Sequence, residues 1–414
     1  MHWIAAQMER TRAHFPALQR SAHGRAVAFL DGPAGSQVPQ CVIDAVAGYL
    51  RDCNANHGGE FDTSRRSDAL LEEAHRAVAD LLGAPDPAGI IFGANMTTLT
   101  LAFSRAIART WRAGDEVLIS QLDHDGNFAP WQLAARDAGV VVRPIAIRAS
   151  DCTLDMDDLR RQLSPRTRLV AVGAASNFSG TINPVAEIVR CAHAVGAEVF
   201  IDAVHYAPHR LMDVAGWGCD YLVCSAYKFF GPHVGVLWGR PDRMEALQPY
   251  KLSVAPDSLP GRWMTGTQNH EGIAGVLAAV NYLASLTPTP TPASRREAIV
   301  KAMELIAEHE HELARQCLRG LRDIPGLQVF GITDEARLAE RVPTFSFRSA
   351  KISPQEMARR LGEAGIFVWH GNFYALPLTQ ALGIEPAGAV RAGFLHYNTA
   401  AEVERLVEAL RALA

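Results

Sequence analysis

The sequence predicts an α/β fold, a mostly parallel sheet with helices on both faces, followed by a smaller α+β domain. Three observations lead there. From residue 89 to 225 short apolar runs alternate with stretches whose apolar residues recur at helical spacing, the change of period that builds a parallel sheet with helical crossovers. Two of these runs, Ala-Glu-Val-Phe-Ile and Asp-Tyr-Leu-Val-Cys, stop at the polar residues Asp202 and Ser225, and open α/β sheets place ligands at the carboxyl ends of strands. The one low-complexity segment, Thr287-Pro288-Thr289-Pro290-Thr291-Pro292, is stiffened by prolines and marks a boundary. The expected division is an N-terminal segment, 1–25, packing on the small domain, a large domain, 26–286, and a small domain, 287–414. At 414 residues the chain is long enough for two domains.

In chain order, residues 1–20 read as a short helix. Phe29-Leu30-Asp31-Gly32-Pro33-Ala34-Gly35 reads as an extended piece ending in a turn. A polar loop, Asn54-Ala55-Asn56-His57-Gly58-Gly59, precedes a helix expected over 67–82, and His57 is a candidate site residue. The strand Gly89-Ile90-Ile91-Phe92 turns through Gly93-Ala94-Asn95-Met96-Thr97 into a helix over 98–109. Free backbone N–H groups and the helix dipole make such a turn an anion site, with Ala94 and Asn95 at the cradle positions. A strand at 116–120 leads to Leu122-Asp123-His124-Asp125-Gly126-Asn127 and its imidazole, His124. Alternation continues through 140–147, 154–163, 168–172 and 185–195, with Asn177 just after a strand. After Asp202, the run 220–224 enters Ser225-Ala226-Tyr227-Lys228-Phe229-Phe230-Gly231. A lysine among apolar and aromatic neighbours is desolvated, which favours the neutral amine that attacks an aldehyde. Residues 262–270 supply a second glycine turn, carrying Thr267. A long helix over 295–321 then leads to strands at 327–331 and 344–348.

The formal net charge of −4, with both signs interspersed, argues against nucleic acid or an anionic membrane as partner. No apolar stretch reaches the length of a membrane span, and residues 1–20 lack an apolar signal core, so a cytoplasmic protein is expected. The seven cysteines are scattered without a Cys-x-x-Cys pair, which fits reduced thiols and no metal site.

The order Asp202-Ala203-Val204-His205, Ser225-Ala226-Tyr227-Lys228, Thr265-Gly266-Thr267-Gln268-Asn269 resembles the class V aminotransferases, and within them the cysteine desulfurase-like proteins. The likeness runs from Phe29-Leu30-Asp31 to the Arg391 region. It implies fold type I, with a main sheet of the seven-stranded type, and pyridoxal 5′-phosphate (PLP) as cofactor. By the same resemblance Lys228 holds the cofactor and serves as general base, Asp202 faces the pyridine nitrogen, and His124 stacks on the ring and passes protons. Asn177 bonds the ring hydroxyl oxygen, with His205 nearby where many relatives have glutamine. Ala94, Asn95, Ser225 and Tyr227 serve the phosphate, Tyr227 standing where many relatives have histidine. Thr267 reaches the phosphate of a neighbouring subunit, which implies a homodimer. Arg391 clamps the carboxylate of a small amino-acid substrate in a bidentate fork, beside Asn177 and Tyr374.

One segment departs from the family. In Val368-Trp369-His370-Gly371-Asn372-Phe373-Tyr374-Ala375-Leu376-Pro377, Tyr374 occupies the place of the desulfurases' nucleophilic cysteine, and the nearest cysteine in sequence is Cys317. Sulfur transfer needs a thiolate, so the favoured reaction is β-elimination on cysteine or a related substrate through a Cα carbanion. The same carbanion leads to epimerisation, as in isopenicillin N epimerases, or to β-decarboxylative or aldol-type chemistry; transamination is less expected on family grounds. A catalytically idle binding protein is the reading of another class, and Lys228, Asp202 and His124 count against it.

Overall fold

The computed structural model describes residues 7, 10–22, 24–287 and 293–413. Most of the proline segment, residues 288–292, lies outside them, as do residues 1–6.

Seven strands form the main sheet: β1 (Ile90–Gly93), β2 (Glu116–Ser120), β3 (Val141–Ile145), β4 (Thr167–Gly173), β5 (Glu198–Asp202), β6 (Tyr221–Ser225) and β7 (Gly235–Gly239). Their order across the sheet is β1-β7-β6-β5-β4-β2-β3, and only β7 runs antiparallel to its neighbours. The central strands are buried on both faces, which is why they read as continuous apolar runs and not as alternating ones. Register brings Gly173, Asp202, Ser225 and Gly235 to one edge of the sheet, with Gly93 beside Gly235. Around the sheet stand α1 (Gln40–Asp52), α2 (Asp62–Leu82), α3 (Met96–Ile107), α4 (Ala129–Ala138), α5 (Val185–His193) and α6 (His270–Ser285), with α1 packed against α6.

Helix α2 begins five residues before the apolar pattern does. Its first turns, Asp-Thr-Ser-Arg-Arg, carry no apolar residue, so periodicity is blind to them. Helix α3 begins two residues earlier than its pattern suggests because Asn95 caps it, the side-chain oxygen accepting from Thr98 N–H at 2.9 Å. The 154–163 segment holds only a two-turn helix, Met156–Gln162, capped by Asp155.

A second, four-stranded antiparallel sheet is built from β8 (Leu327–Phe330), β9 (Thr344–Ser349), β10 (Trp369–Gly371) and β11 (Ala389–Gly393), in the order β8-β9-β11-β10. Between the sheets runs α7 (Arg295–Arg322), capped by Ser294. Ile299, Ala302, Met303 and Ile306 of α7 belong to the core under the main sheet, whereas Leu313, Ala314, Cys317, Leu318 and Leu321 belong to the core of the second. Near the N-terminus, Phe15 packs in a cluster of rings with Phe230, Tyr282, His396 and Tyr397. Arg12 bonds Glu402 at 3.1 Å.

Candidate active site

At the strand ends lies a cavity of about 760 Å³, within the range of small-molecule and cofactor sites. Lys228 sits on a single 3-10 turn after β6 and is buried. Its Nζ donates to the carbonyls of Ala34, at 2.9 Å, and Pro33, so the turn read from sequence at 31–35 closes over the lysine. Burial, and then the charge of Arg391, push its pKa down to about 7 against the opposing pull of Asp202 and Asp31. A neutral amine at moderate pH is the result.

Asp202 ends β5, buried, its Oδ1 accepting from Val204 N–H at 2.9 Å. Burial lifts its pKa to about 6. A second buried carboxyl, Asp123, also lines the cavity. It accepts from Asn127 Nδ2 at 2.6 Å, and Asn127 in turn accepts from Trp131 Nε1 at 2.9 Å. Burial raises it to about 7 despite the hydrogen bond from Gly173, and the charge of Asp202 adds to the rise. Sequence reasoning passed over Asp123, whose only signal was its place next to His124. Asp31, likewise unweighed, is half-buried, its buried Oδ1 unpartnered among the described residues, and desolvation lifts it to about 6.

His124 caps the turn that follows it, Nδ1 accepting from Gly126 N–H at 2.9 Å. That bond places the ring proton on Nε2. Burial lowers the imidazole to about 4, so it is neutral and donates through Nε2. His205 is buried and bonded through Nε2 to Thr344 Oγ1 at 3.0 Å. Edge-on behind it, at 5.4 Å, stands His209, whose Nδ1 bonds Glu310 of α7 at 2.9 Å.

Arg391 of β11 donates Nη1 to the carbonyl of Asn177 at 2.7 Å and lies 4.2 Å from the ring centre of Phe373. Burial lowers it to about 9, which leaves it cationic. Asn177 Nδ2 donates to the Phe373 carbonyl at 2.7 Å. Two buried polar atoms here, Asn177 Oδ1 and Arg391 Nε, have no partner among the described residues. Phe373 and Tyr374 are consecutive non-glycine residues in the left-handed region, φ +56° and +59°, a conformation that costs about 1–3 kcal/mol each. It turns the Phe373 ring onto Arg391 and sets the Tyr374 ring 5.3 Å from His124. Tyr374 is 70% exposed, at the mouth of the cavity beside Trp369 and His370.

Ser225 Oγ accepts from Met96 N–H at 3.0 Å, which leaves its own hydrogen free to donate. Tyr227 and Asn95 also line the cavity. Ala94 does not. It borders a neighbouring hollow of about 540 Å³ that also takes in Thr267, because Asn95, Met96 and Thr97 are the residues of the turn that face inward. His57 is further off, in a hollow with His75 and His270. Cys224 lies buried on β6, and no cysteine is among the residues that line the main cavity.

The model of the class V aminotransferases matches residues 28–406. The chain belongs to this family. A probable cysteine desulfurase of Vibrio cholerae is 32% identical over 417 residues, 97% of either chain. A cysteine desulfurase of Klebsiella pneumoniae is 33% identical over 423 residues, 98% of this chain and 97% of that one. Among solved structures, the cysteine desulfurase of Thermococcus onnurineus superposes with a TM-score of 0.87 at 26% identity, covering 98% of this chain and 97% of its own. One from Escherichia coli superposes with 0.83 at 28%, covering 98% of both.

Like its family, the chain is a PLP-dependent enzyme of fold type I, and its residues fit that group. A buried, deprotonatable amine and a buried carboxyl share one cavity. The orphaned Asn177 Oδ1 and Arg391 Nε await polar partners, and α3 points its N-terminus at the same edge. Lys228 would hold the group, Asp202 face its nitrogen, His124 its ring, and Asn95, Ser225 and Tyr227 its phosphate. When bound, PLP supplies an electron-accepting ring for the electrons of a substrate Cα–H bond.

Proposed function

We propose that the enzyme cleaves the C–S bond of cysteine or a related amino acid by β-elimination and releases the sulfur to solvent. The observation that carries this reading is the thiol-free cavity, with Tyr374 at its mouth. Cys152 is buried, its thiol pushed up to about 11 by burial, and burial raises Cys219, Cys224 and Cys317 as well. Thiols so held are poor nucleophiles. The cysteine desulfurase names of the relatives support a sulfur-bearing substrate; nothing in the comparisons favours the epimerase, decarboxylase, transaminase or idle-protein readings over it.

In this reading Arg391 orients the substrate carboxylate. Lys228 Nζ takes the Cα proton, the electron pair so released forms the Cα–Cβ double bond as the Cβ–S bond breaks, and the sulfur leaves as HS⁻ with a hydrogen bond from the neutral His124 Nε2–H. Loss of sulfide from cysteine followed by hydrolysis leaves pyruvate and ammonia. The expected result is pyruvate and sulfide in equal amounts from cysteine, most activity kept by every single Cys→Ala variant, and no persulfide on the protein by mass spectrometry. A persulfide on one cysteine, with turnover lost when it becomes alanine, would overturn the reading.

The same proposal includes a cytoplasmic homodimer in which Thr267 completes a neighbour's phosphate site, and the division of the chain at residue 287. It is supported by Thr267 lying in a hollow open to solvent beside Ala94; among the described residues no helix is long and apolar enough to cross a membrane.

A further inference from the structure

Tyr227 stands where many relatives carry a histidine, and the ring stacked on it here is itself an imidazole. His233 lies 5.1 Å from Tyr227, centre to centre, with the rings 14° from parallel. It is exposed, and neither ring nitrogen has a hydrogen-bond partner among the described residues. Of the described residues that line the cavity, it alone also opens on the hollow that holds Ala94 and Thr267.

Its place is set by an unusually close backbone contact. A Cβ added to Gly235, two residues on, would meet the Asn95 carbonyl carbon at 2.4 Å and its Cα at 2.6 Å. Only glycine lets β7 start directly on the turn that opens α3. The segment carrying His233 is therefore pressed against the anion end of α3. Two of the first N–H groups of that helix are already used, Met96 by Ser225 and Thr98 by Asn95. A phosphate dianion bound there needs further donors.

We propose that His233 is a phosphate ligand of the cofactor, a ring nitrogen donating to a phosphate oxygen while Tyr227 serves as its stacking platform. The imidazole that relatives place just before the lysine is thus supplied here from five residues after it. This rests on the PLP assignment above.

The test uses protein stripped of cofactor and titrated, by absorbance, with PLP and with pyridoxal, which lacks the phosphate. His233→Phe keeps the stack and removes both nitrogens; His233→Gln keeps a donor and removes the stack. The expected result is a dissociation constant for PLP raised about tenfold in His233→Phe, as for loss of one charge-assisted hydrogen bond. Pyridoxal should change less than twofold, and His233→Gln should keep most of its affinity for PLP. The ³¹P resonance of bound PLP should move in the phenylalanine variant. Equal losses for PLP and pyridoxal would show that His233 only props Tyr227, and unchanged PLP binding in His233→Phe would likewise overturn the proposal. Wild-type protein that takes up no PLP would overturn it together with the cofactor assignment.

Discussion

At the scale of single residues, the site works by burial. Lys228 is one of four lysines in the chain, and it is buried with an arginine for company, which lowers its pKa to about 7. The sign follows directly. The neutral amine grows as pH rises through that value, so stripped protein should take up PLP faster as pH goes from about 6 to about 8, then level off. Stopped-flow absorbance measures it; a rate still climbing steeply above pH 9 would mean an unperturbed lysine. Borohydride should then fix the cofactor on Lys228 alone. The sequence made this lysine legible because its apolar neighbours are adjacent in the chain. Asp123 and His233 were not legible, since what matters about them is proximity to Asp202 and to Tyr227, and no local pattern encodes it.

At the scale of elements, the buried strands were the easiest to read. β2 was expected at 116–120 and stands at Glu116–Ser120, because a strand covered on both faces is apolar throughout. The amphipathic α1 went unremarked: it leaves Ile43 and Leu50 exposed, which blurs its stripe. No strand was expected at 369–371, because β10 is three exposed or half-exposed residues with no apolar run to betray it. The contact between β7 and the start of α3 yields a prediction. Gly235→Ala must push β7 off the Asn95 turn, at a cost of about 1–3 kcal/mol. Denaturant unfolding should give a lower midpoint with an unchanged slope, and PLP affinity should fall with it. An alanine variant as stable as the parent would mean the contact is looser than described.

At the scale of the whole molecule, two features fasten the sheets to each other. Arg341 is fully buried, its guanidinium 4.1 Å from the ring centre of Phe345. It donates to the carbonyls of Ser179, at 3.1 Å, Ile332 and Thr344, joining the Asn177 loop to the second sheet. Arg341→Met leaves those carbonyls unpaired, each at about 1–3 kcal/mol, and frees the loop that holds Arg391. The expected result is a lower unfolding midpoint together with a raised KM; a variant with stability lost and KM unchanged would confine Arg341 to a structural role. The second feature is α7, whose two halves fill different cores. Its consequence concerns dissection. A chain ended at residue 287 would lack Ile299, Ala302, Met303 and Ile306, the plugs of the larger core. At about 1.5–3 kcal/mol for each large buried side chain, that loss is comparable to the whole stability of an ordinary domain. Splitting the gene at the prolines therefore yields no independent half, whereas a cut after residue 322 would leave the larger piece its plug and carry away the smaller piece's own.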